Sequence, residues 1–354
     1  MNDEELTAEE SAEEQEATPF KYSITSYGAD YPVDGLVKRI SAESIFIPSF
    51  QRGYVWTLPQ ASRFVESLLL GLPVPGIFLS KDEPTQKLLV IDGQQRLRTL
   101  QWFYEGVFIP TKKEFSLQGV QSRFEGSTYR RLSDEDRRRL DDSILHATIV
   151  KQEEPSEDES SIYYIFERLN TGGTTLRPQE IRTAIYHGPF NDLLGVLNEH
   201  EAWRALYGPT DTRMRDRELI LRFLALHFRA DVYRRPLKGF LNDYMGANRY
   251  LRLQNEAVIR NAFVPTVEII ADVIGSRAFK PKRALNAAVS DAVMVGIVRR
   301  LQEGVIRNAR ELAESYNQLL ANEEFVAATE RSTTDEESVR RRLALASQVF
   351  ARAR

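Results

Sequence analysis

The amino-acid sequence predicts an α+β fold for the first part of the chain and a mainly helical fold for the rest. Up to about residue 140, apolar runs of strand length alternate with stretches whose apolar residues recur at helical spacing. These elements do not form a regular strand–helix–strand series, so we expect a small α+β domain. From Pro178 onward the helical spacing is almost continuous.

In the first part, we place strands at residues 45–48 and in the runs PGIFLS, KLLVI and ILHATIVKQ. Helices are predicted at Pro59–Leu70 and at Gln94–Glu105 in this part, and the run SIYYIFERLN is predicted as a helix of the part that follows residue 155. The first of these begins with a proline and is followed by Gly71, which is the usual asymmetry of helix ends.

The second part is expected to be a helical domain of five to seven helices. Helical spacing recurs in the runs DRELILRFLALHF, EAVIRNAFVPTVEIIADVIG and ALNAAVSDAVMVGIVRRLQ, and at residues 311–322. We therefore divide the chain into an acidic tail, an α+β domain and a helical domain, at residues 1–20, 21–155 and 156–354.

The composition excludes several kinds of site. With no cysteine, the chain forms neither a disulfide nor a thiolate zinc site, and its four histidines are not paired at metal-ligand spacing. A zinc hydrolase or a nuclease with its own histidine–metal unit is therefore not expected. No apolar run is long enough to span a membrane, and the acidic start differs from a signal peptide, so we expect a cytoplasmic protein.

The formal net charge of -4 is unevenly distributed. Residues 1–20 hold eight carboxylates and no Lys or Arg, which leaves 47 basic against 43 acidic residues in the remainder. We interpret the tail as a solvated segment, since it has little apolar surface to bury. The alternative is a tail that competes with nucleic acid for the basic remainder of the chain.

The run VIDGQQRLRTL contains more polar groups than a turn requires. Asp92 and Gly93 follow an apolar strand, and helical spacing resumes at Gln94, so backbone N–H groups and the helix dipole would attract an anion there. Arg96 could neutralise a phosphate, while the amide of Gln94 or Gln95 could hold a phosphate oxygen or orient a water molecule. Asp92 could bind Mg²⁺, accept a proton from that water, or simply cap a structural turn.

Two further runs are candidate site loops. In IPSFQRGYVW, Gln51 and Arg52 lie between aromatic residues, and the arginine could bind phosphate or form a structural ion pair. In IFERLNTGGTTLRPQEIRTAIY, Asn170 and Thr171 precede a Gly-Gly turn that could simply stop a helix. Because Arg168, Glu180 and Arg182 crowd around this loop, a functional role is the alternative.

The helical part offers weaker candidates. The run FRADVYRRPLKGF places basic residues among aromatic ones, which favours either a stripe that binds nucleic-acid phosphates or a solvated helix face; these residues are Arg229, Arg234, Arg235 and Lys238. The carboxylates Glu218, Asp243 and Asp291 are interpreted as surface or capping residues.

In their order and spacing, FQRGYVW, VIDGQQRLRTL and IFERLNTGGTTLRPQEIRTA resemble the N-terminal domain family of GmrSD-type modification-dependent restriction endonucleases. The resemblance covers roughly residues 30–300. It implies a ParB/sulfiredoxin-like fold followed by a helical region. It also implies nucleotide binding, often with NTP hydrolysis, that controls DNA cleavage in defence against phage.

The resemblance also implies roles for individual residues. Carried over by position, the catalytic residues are Asp92, Gln94, Gln95 and Arg96. The nucleotide-binding residues are Gln51, Arg52, Gly93, Asn170 and Thr171. An NTP and Mg²⁺ or another divalent cation are the expected cofactors, with Asp92 as the metal ligand.

Two departures from the family shape the functional expectation. The chain contains no His-Asn-His-type nuclease pattern, so we expect a separate nuclease subunit to cut DNA. Arg177 stands where a capping Ser or Thr is usual. The expected function is an NTP-binding, NTP-hydrolysing regulatory subunit of a restriction or anti-phage system. The alternative is a non-catalytic clamp that binds DNA or a nucleotide, or a protein-interaction module.

Overall fold

The structure, a computed structural model, describes residues 23–47, 54–82, 85–154, 160–169 and 176–353. The acidic tail, Gln51, Arg52, Asn170 and Thr171 lie outside the described residues. Contacts divide the chain at residues 176/177 into two compact units, and each is described by itself.

The first unit consists of short strands and helices in the order β1 Ser23–Pro32, α1 Val33–Ser41, β2 Ile45–Phe46, α2 Leu58–Leu69, β3 Ile77–Lys81, β4 Leu88–Asp92, α3 Gln94–Glu105, β5 Val107–Phe108, β6 Lys113–Glu114, α4 Asp134–Asp142, β7 Ile144–Glu154 and α5 Ser160–Leu169. A short 3₁₀ turn at Tyr129–Arg131 precedes α4.

Five of these strands form one mixed sheet in the order β1-β7-β3-β4-β2. β1 and β7 pair antiparallel over their length, from Ser23 opposite Glu154 to Pro32 opposite Ile144. β3 runs parallel to β7 and antiparallel to β4, and the short β2 runs parallel to β4. The sheet therefore places β4, which precedes the Gln94 helix, between β3 and β2.

Helices α1 to α4 bury their apolar faces in a single core with one face of the sheet; its helical members include Val33, Leu36, Val65, Leu68, Leu97, Leu100, Phe103 and Leu140. Leu79 and Val90 contribute to this core from β3 and β4. Side chains alternate along a strand, so Ile91 points to the opposite face from Val90. Helix α5 packs against β4 and β7 and buries Tyr163 and Phe166.

The second unit consists of helices α6 Pro178–Ile185, α7 Pro189–Asn198, α8 Glu201–Tyr207, α9 Arg215–Arg229, α10 Leu237–Ala247, α11 Glu256–Val273, α12 Ala287–Gln302, α13 Ala309–Ala321, α14 Glu323–Glu330 and α15 Glu336–Phe350. These are more helices than the five to seven predicted, because several are only two or three turns long. The small mixed sheet followed by many helices agrees with the predicted α+β and helical composition.

A buried charged cluster links three helices of the second unit. The carboxylate of Asp291 accepts hydrogen bonds from Arg222 on α9, at 2.9 and 3.2 Å, and from Arg342 on α15, at 3.0 Å. All three side chains are at most 2% exposed. The interpretation of Asp291 as a surface or capping residue is therefore wrong, since its carboxylate neutralises guanidinium charge inside the helical unit.

Throughout the described ranges, no helix combines the length and the apolar character needed to cross a membrane.

Candidate phosphate-binding site at the start of α3

A tight corner joins β4 to α3. Gly93 occupies the N-cap position with φ 103° and ψ 9°, a left-handed conformation that glycine adopts without strain. A Cβ added at Gly93 would lie 2.4 Å from Cγ2 of Ile77 on the neighbouring strand. Both the backbone and the packing therefore require glycine here, and the corner sets the first turn of α3 directly after Asp92.

Asp92 does not cap the helix, contrary to the structural alternative considered from the sequence. Its Oδ2 accepts a hydrogen bond from Nη2 of Arg96 at 2.6 Å, one turn into α3. The Arg96 side chain is 12% exposed and that of Asp92 is 41% exposed. The pair holds the guanidinium beside the helix start, while the carboxylate offsets its charge. A phosphate at this position would compete with Asp92 for the guanidinium.

Gln95 fixes the segment that follows the FQRG motif. Its Oε1 accepts hydrogen bonds from the backbone N–H groups of Val55 and Trp56, at 3.0 and 3.4 Å. One turn further along α3, the hydroxyl oxygens of Thr99 and Tyr54 lie 2.6 Å apart. Because Thr99 donates its proton to the carbonyl of Gln95, the Tyr54 hydroxyl donates to Thr99. Residues 54–56 are thus fastened to one face of α3.

Tyr54 and Trp56, the aromatic residues of FQRGYVW, pack against other rings of the first unit. The Tyr54 ring lies 4.4 Å from Trp102 between centroids, and the Trp56 ring lies 5.6 Å from Phe64. Burial raises the pKa of Tyr54 to about 12. The Tyr54 hydroxyl therefore stays protonated and acts as a donor. Arg52 precedes Tyr54 by two positions in the sequence.

Sequence reasoning missed Arg98. This residue lies one turn beyond Gln94 on α3 and is half-buried. None of the described residues gives its side chain a hydrogen bond or an ion pair. Burial lowers the pKa of Arg98, an effect partly opposed by the charge of Glu105. Helical side chains lean toward the N-terminus, so Arg98 leans toward the start of α3 and adds a positive charge there.

The donor set fits a divalent cation only when phosphate supplies most of the ligands. In the part of the chain that the structure describes, no group of three or more His, Asp or Glu side chains is placed to hold a metal. Asp92 offers one partly exposed carboxylate. Mg²⁺ commonly binds through one or two carboxylates together with substrate phosphates and water, so a single carboxylate is compatible with a nucleotide-bound ion.

Residues 33–187 match the family model described as GmrSD restriction endonuclease, N-terminal domain. Over these residues the chain is similar to that family. The match, a little under half of the chain, begins after β1, contains the whole β4–α3 corner and ends just after α6. It confirms the resemblance that the three motifs predicted. No curated protein matches the chain.

Near the end of the matched range, two predicted loop residues are structural. Arg182 is 1% exposed and donates to Asn242 at 2.7 Å and to Glu218 at 3.0 Å. Glu180 is 3% exposed and accepts from Arg213 and from the backbone N–H of Arg177, the latter at 2.6 Å. These groups fix α6 within the helical unit, and they lie among protein partners rather than at an open loop.

The basic stripe predicted in FRADVYRRPLKGF is largely neutralised. Lys238 is only 7% exposed, so it does not belong to a surface stripe. Arg235 pairs with Asp335 at 2.7 Å, and Arg234 lies 3.7 Å from Glu336. A phosphate backbone would have to displace these carboxylates, which disfavours this run as a nucleic-acid contact.

Proposed function

We propose that this chain is the NTP-binding and NTP-hydrolysing regulatory component of a restriction or anti-phage defence system, with DNA cleavage by a separate nuclease subunit. The observation that carries the proposal is the GmrSD-type domain match, which includes the glycine corner and the charged residues of α3. In the same proposal, the first unit is a ParB/sulfiredoxin-like domain, because its small mixed sheet and surrounding helices are compatible with that fold.

The phosphates bind at the start of α3. The N–H groups of the first helical turn and the helix dipole attract negative charge, and the Gly93 corner allows close approach of the backbone. Arg96 supplies a planar pair of donors for phosphate oxygens, and Arg98 adds a second positive charge. Gln51, Arg52, Asn170 and Thr171 complete the nucleotide site in this proposal on the strength of the family resemblance.

Hydrolysis proceeds by in-line attack of water on the terminal phosphorus. The new bond joins the water oxygen to phosphorus, the phosphoanhydride bond to the leaving diphosphate breaks, and the water proton passes to a phosphate oxygen or to the Asp92 carboxylate. We assign orientation of the water to the amide of Gln94, the first residue of α3. The guanidinium groups stabilise the charge that develops on the phosphoryl oxygens. Asp92 would hold a divalent cation, which when bound supplies further neutralisation of phosphate charge.

The segment 54–56 gives nucleotide binding a route to the rest of the domain. Gln95 lies in the first turn of α3, at the proposed phosphate site, and its side-chain Oε1 accepts hydrogen bonds from the backbone of this segment. A nucleotide that shifts the first turn would therefore also shift residues 54–56. This linkage is the regulatory element in the proposal.

The decisive experiment titrates ATP, GTP, CTP and UTP separately into the purified full-length protein by calorimetry and follows phosphate release with Mg²⁺ present. We expect at least one NTP to bind and to release phosphate. Binding without release would instead support the non-catalytic clamp. Absence of binding by all four would contradict the proposal.

Arg96→Ala tests the site itself. Loss of a charge-assisted phosphate contact should weaken NTP binding by roughly 1.5–3 kcal/mol, which is about ten- to a hundredfold. Arg138→Ala, which removes an exposed arginine of the same unit, is the matched control and should bind as the unaltered protein does. Equal affinity of the two variants would remove the start of α3 from the nucleotide site.

A further inference from the structure

The connection between α10 and α11 presents an exposed aromatic ring beside two arginines. Tyr250 is 39% exposed, and the guanidinium carbons of Arg249 and Arg252 lie over its ring, 5.2 and 5.5 Å from the centroid. The neighbouring Leu253 is 44% exposed. We call residues 249–253 the RYLRL loop. Its surface combines a planar π-system with positive charge, and neither the family match nor the corner at α3 includes it.

The RYLRL loop is held in a fixed conformation. Asn248 is fully buried, and its Oδ1 accepts hydrogen bonds from the backbone N–H groups of Leu253 and Gln254, at 3.0 and 3.1 Å. The Nε of Arg249 donates to the carbonyl of His187 at 2.7 Å. A loop already fixed by its backbone loses little conformational entropy when it binds a partner.

The local charge favours an anionic partner. Residues 244–255 contain no Asp or Glu, and within the described ranges Arg252 forms no ion pair with a carboxylate. This differs from Arg234 and Arg235, whose charges are offset by neighbouring acidic residues. Across residues 177–354, Lys and Arg outnumber Asp and Glu by 28 to 22, so this range is positive although the whole chain is negative.

We propose that the RYLRL loop binds a nucleic-acid strand, with a base stacked on Tyr250 in place of one guanidinium and a flanking phosphate on Arg252. An aromatic side chain beside arginines provides both groups that sequence-tolerant strand binding uses, a stacking platform and cations for the backbone. An exposed base has a π-face for the ring, and the Arg252 guanidinium lies close enough to the ring to meet the adjacent phosphate. The proposal does not depend on nucleotide binding at α3.

The test measures fluorescence anisotropy of a labelled single-stranded oligonucleotide with the full-length protein over a series of salt concentrations. Tyr250→Leu should weaken binding by about five- to a hundredfold through loss of stacking, whereas Tyr250→Phe should retain it. Arg252→Gln should weaken binding and reduce the slope of log affinity against log salt by about one.

The matched control is Arg310→Gln. Arg310 is an exposed arginine of the same unit that already pairs with Glu314 at 2.9 Å, so its loss should leave affinity and salt slope unchanged. Absence of oligonucleotide binding by the unaltered protein at low salt would overturn the proposal. The proposal would also be overturned if Tyr250→Leu and Arg252→Gln, with unchanged circular dichroism, each bound the oligonucleotide as tightly as the unaltered protein does. That result would assign the loop to another partner, such as an acidic protein surface.

Discussion

At the scale of single residues, the ion pair between Asp92 and Arg96 sets the charge of the proposed phosphate site. The two side chains lie 2.6 Å apart, so an approaching anion meets a guanidinium whose charge is already offset. Asp92 thus has two opposed effects in the proposal. It repels phosphate when no metal is present, and it helps to bind phosphate when a divalent cation bridges them.

Asp92→Asn separates these effects. With a chelator present, the variant should bind NTP about fivefold more tightly, because removing one nearby charge at a partly exposed site changes the binding energy by roughly 1 kcal/mol. With Mg²⁺ present, its phosphate release should fall well below that of the unaltered protein. Calorimetry and phosphate release measure the two quantities.

The control is Asp142→Asn, at an exposed carboxylate of the same unit. It should alter neither the affinity nor the rate of phosphate release. If Asp92→Asn also leaves both unchanged, Asp92 has no part in nucleotide binding.

The site residues at the corner could be predicted from the sequence because neighbouring residue types alone indicate a polar turn there. Asp92-Gly93 between a strand and a helix predicts a turn, and the amides and arginine that follow exceed what the turn needs. The partners of these residues could not be predicted in the same way. Gln95 meets Val55 across 40 positions, a contact that only the folded sheet and α3 bring about.

At the scale of elements, the β4–α3 corner depends on glycine for two separate reasons. Gly93→Ala should cost about 2–5 kcal/mol of unfolding free energy, from left-handed strain of roughly 1–2 kcal/mol and overpacking of about 1–3 kcal/mol against Ile77. Gly106→Ala, at φ 83° with no described atom within 4 Å of the added Cβ, should incur the strain alone. Urea unfolding of both variants measures the difference; equal costs would show that Ile77 moves aside.

Helix α3 lies at Gln94–Glu105, as predicted, and α2 begins one residue before its predicted start. In both, apolar residues recur on a strongly buried face and clear end residues mark the limits. Strand β1 was not predicted. It is an edge strand whose residues 25–28 are all exposed, so it lacks the apolar alternation that reveals a half-buried strand. Its pairing with β7 involves partners more than a hundred residues away.

At the scale of the whole molecule, the Arg222–Asp291–Arg342 cluster should contribute several kcal/mol to the free energy of unfolding of the helical unit. Asp291→Asn should cost about 3–5 kcal/mol, because two buried guanidinium groups would lose their counter-charge. Glu314→Gln, at an exposed pair, should change stability by under about 1 kcal/mol. Urea unfolding followed by circular dichroism measures both.

If Asp291→Asn does not fold, the combined replacement of all three residues by Leu and Met should restore folding, since a well-packed apolar cluster can substitute for a buried ion pair. The cluster could not be predicted from the sequence. Asp291 lies in an apolar helical run, and its arginines are 69 and 51 positions away.

His227 gives the helical unit a dependence on pH. Burial, with a smaller contribution from the charge of Arg299, lowers its pKa from 6.5 to about 4. Between these values the unfolded chain binds a proton that the folded chain does not. His227 therefore makes stability fall as the pH drops from about 6.5 to about 4, by at most about 1.4 kcal/mol per pH unit, and has no such effect above that window.

His227→Phe removes this proton-binding group while keeping a ring beside Phe223, which the imidazole stacks on at 5.9 Å. The loss of unfolding free energy between about pH 7.5 and about pH 4.5 should be smaller in the variant than in the unaltered protein. Urea unfolding at the two pH values supplies the comparison. An identical loss in both proteins would show that His227 titrates normally in the folded state.

The pairing of β1 with β7 has a practical consequence for how the domain is isolated. The family match begins at residue 33, directly after β1, yet β1 covers β7 along its whole length. A truncated protein that starts at residue 33 would leave the N–H and C=O groups of β7 as an unprotected edge, which is a template for pairing between molecules. We expect it to aggregate in light-scattering measurements, whereas a protein that starts at residue 21 should not. The boundary set by physical pairing lies before β1, and not where the family similarity begins.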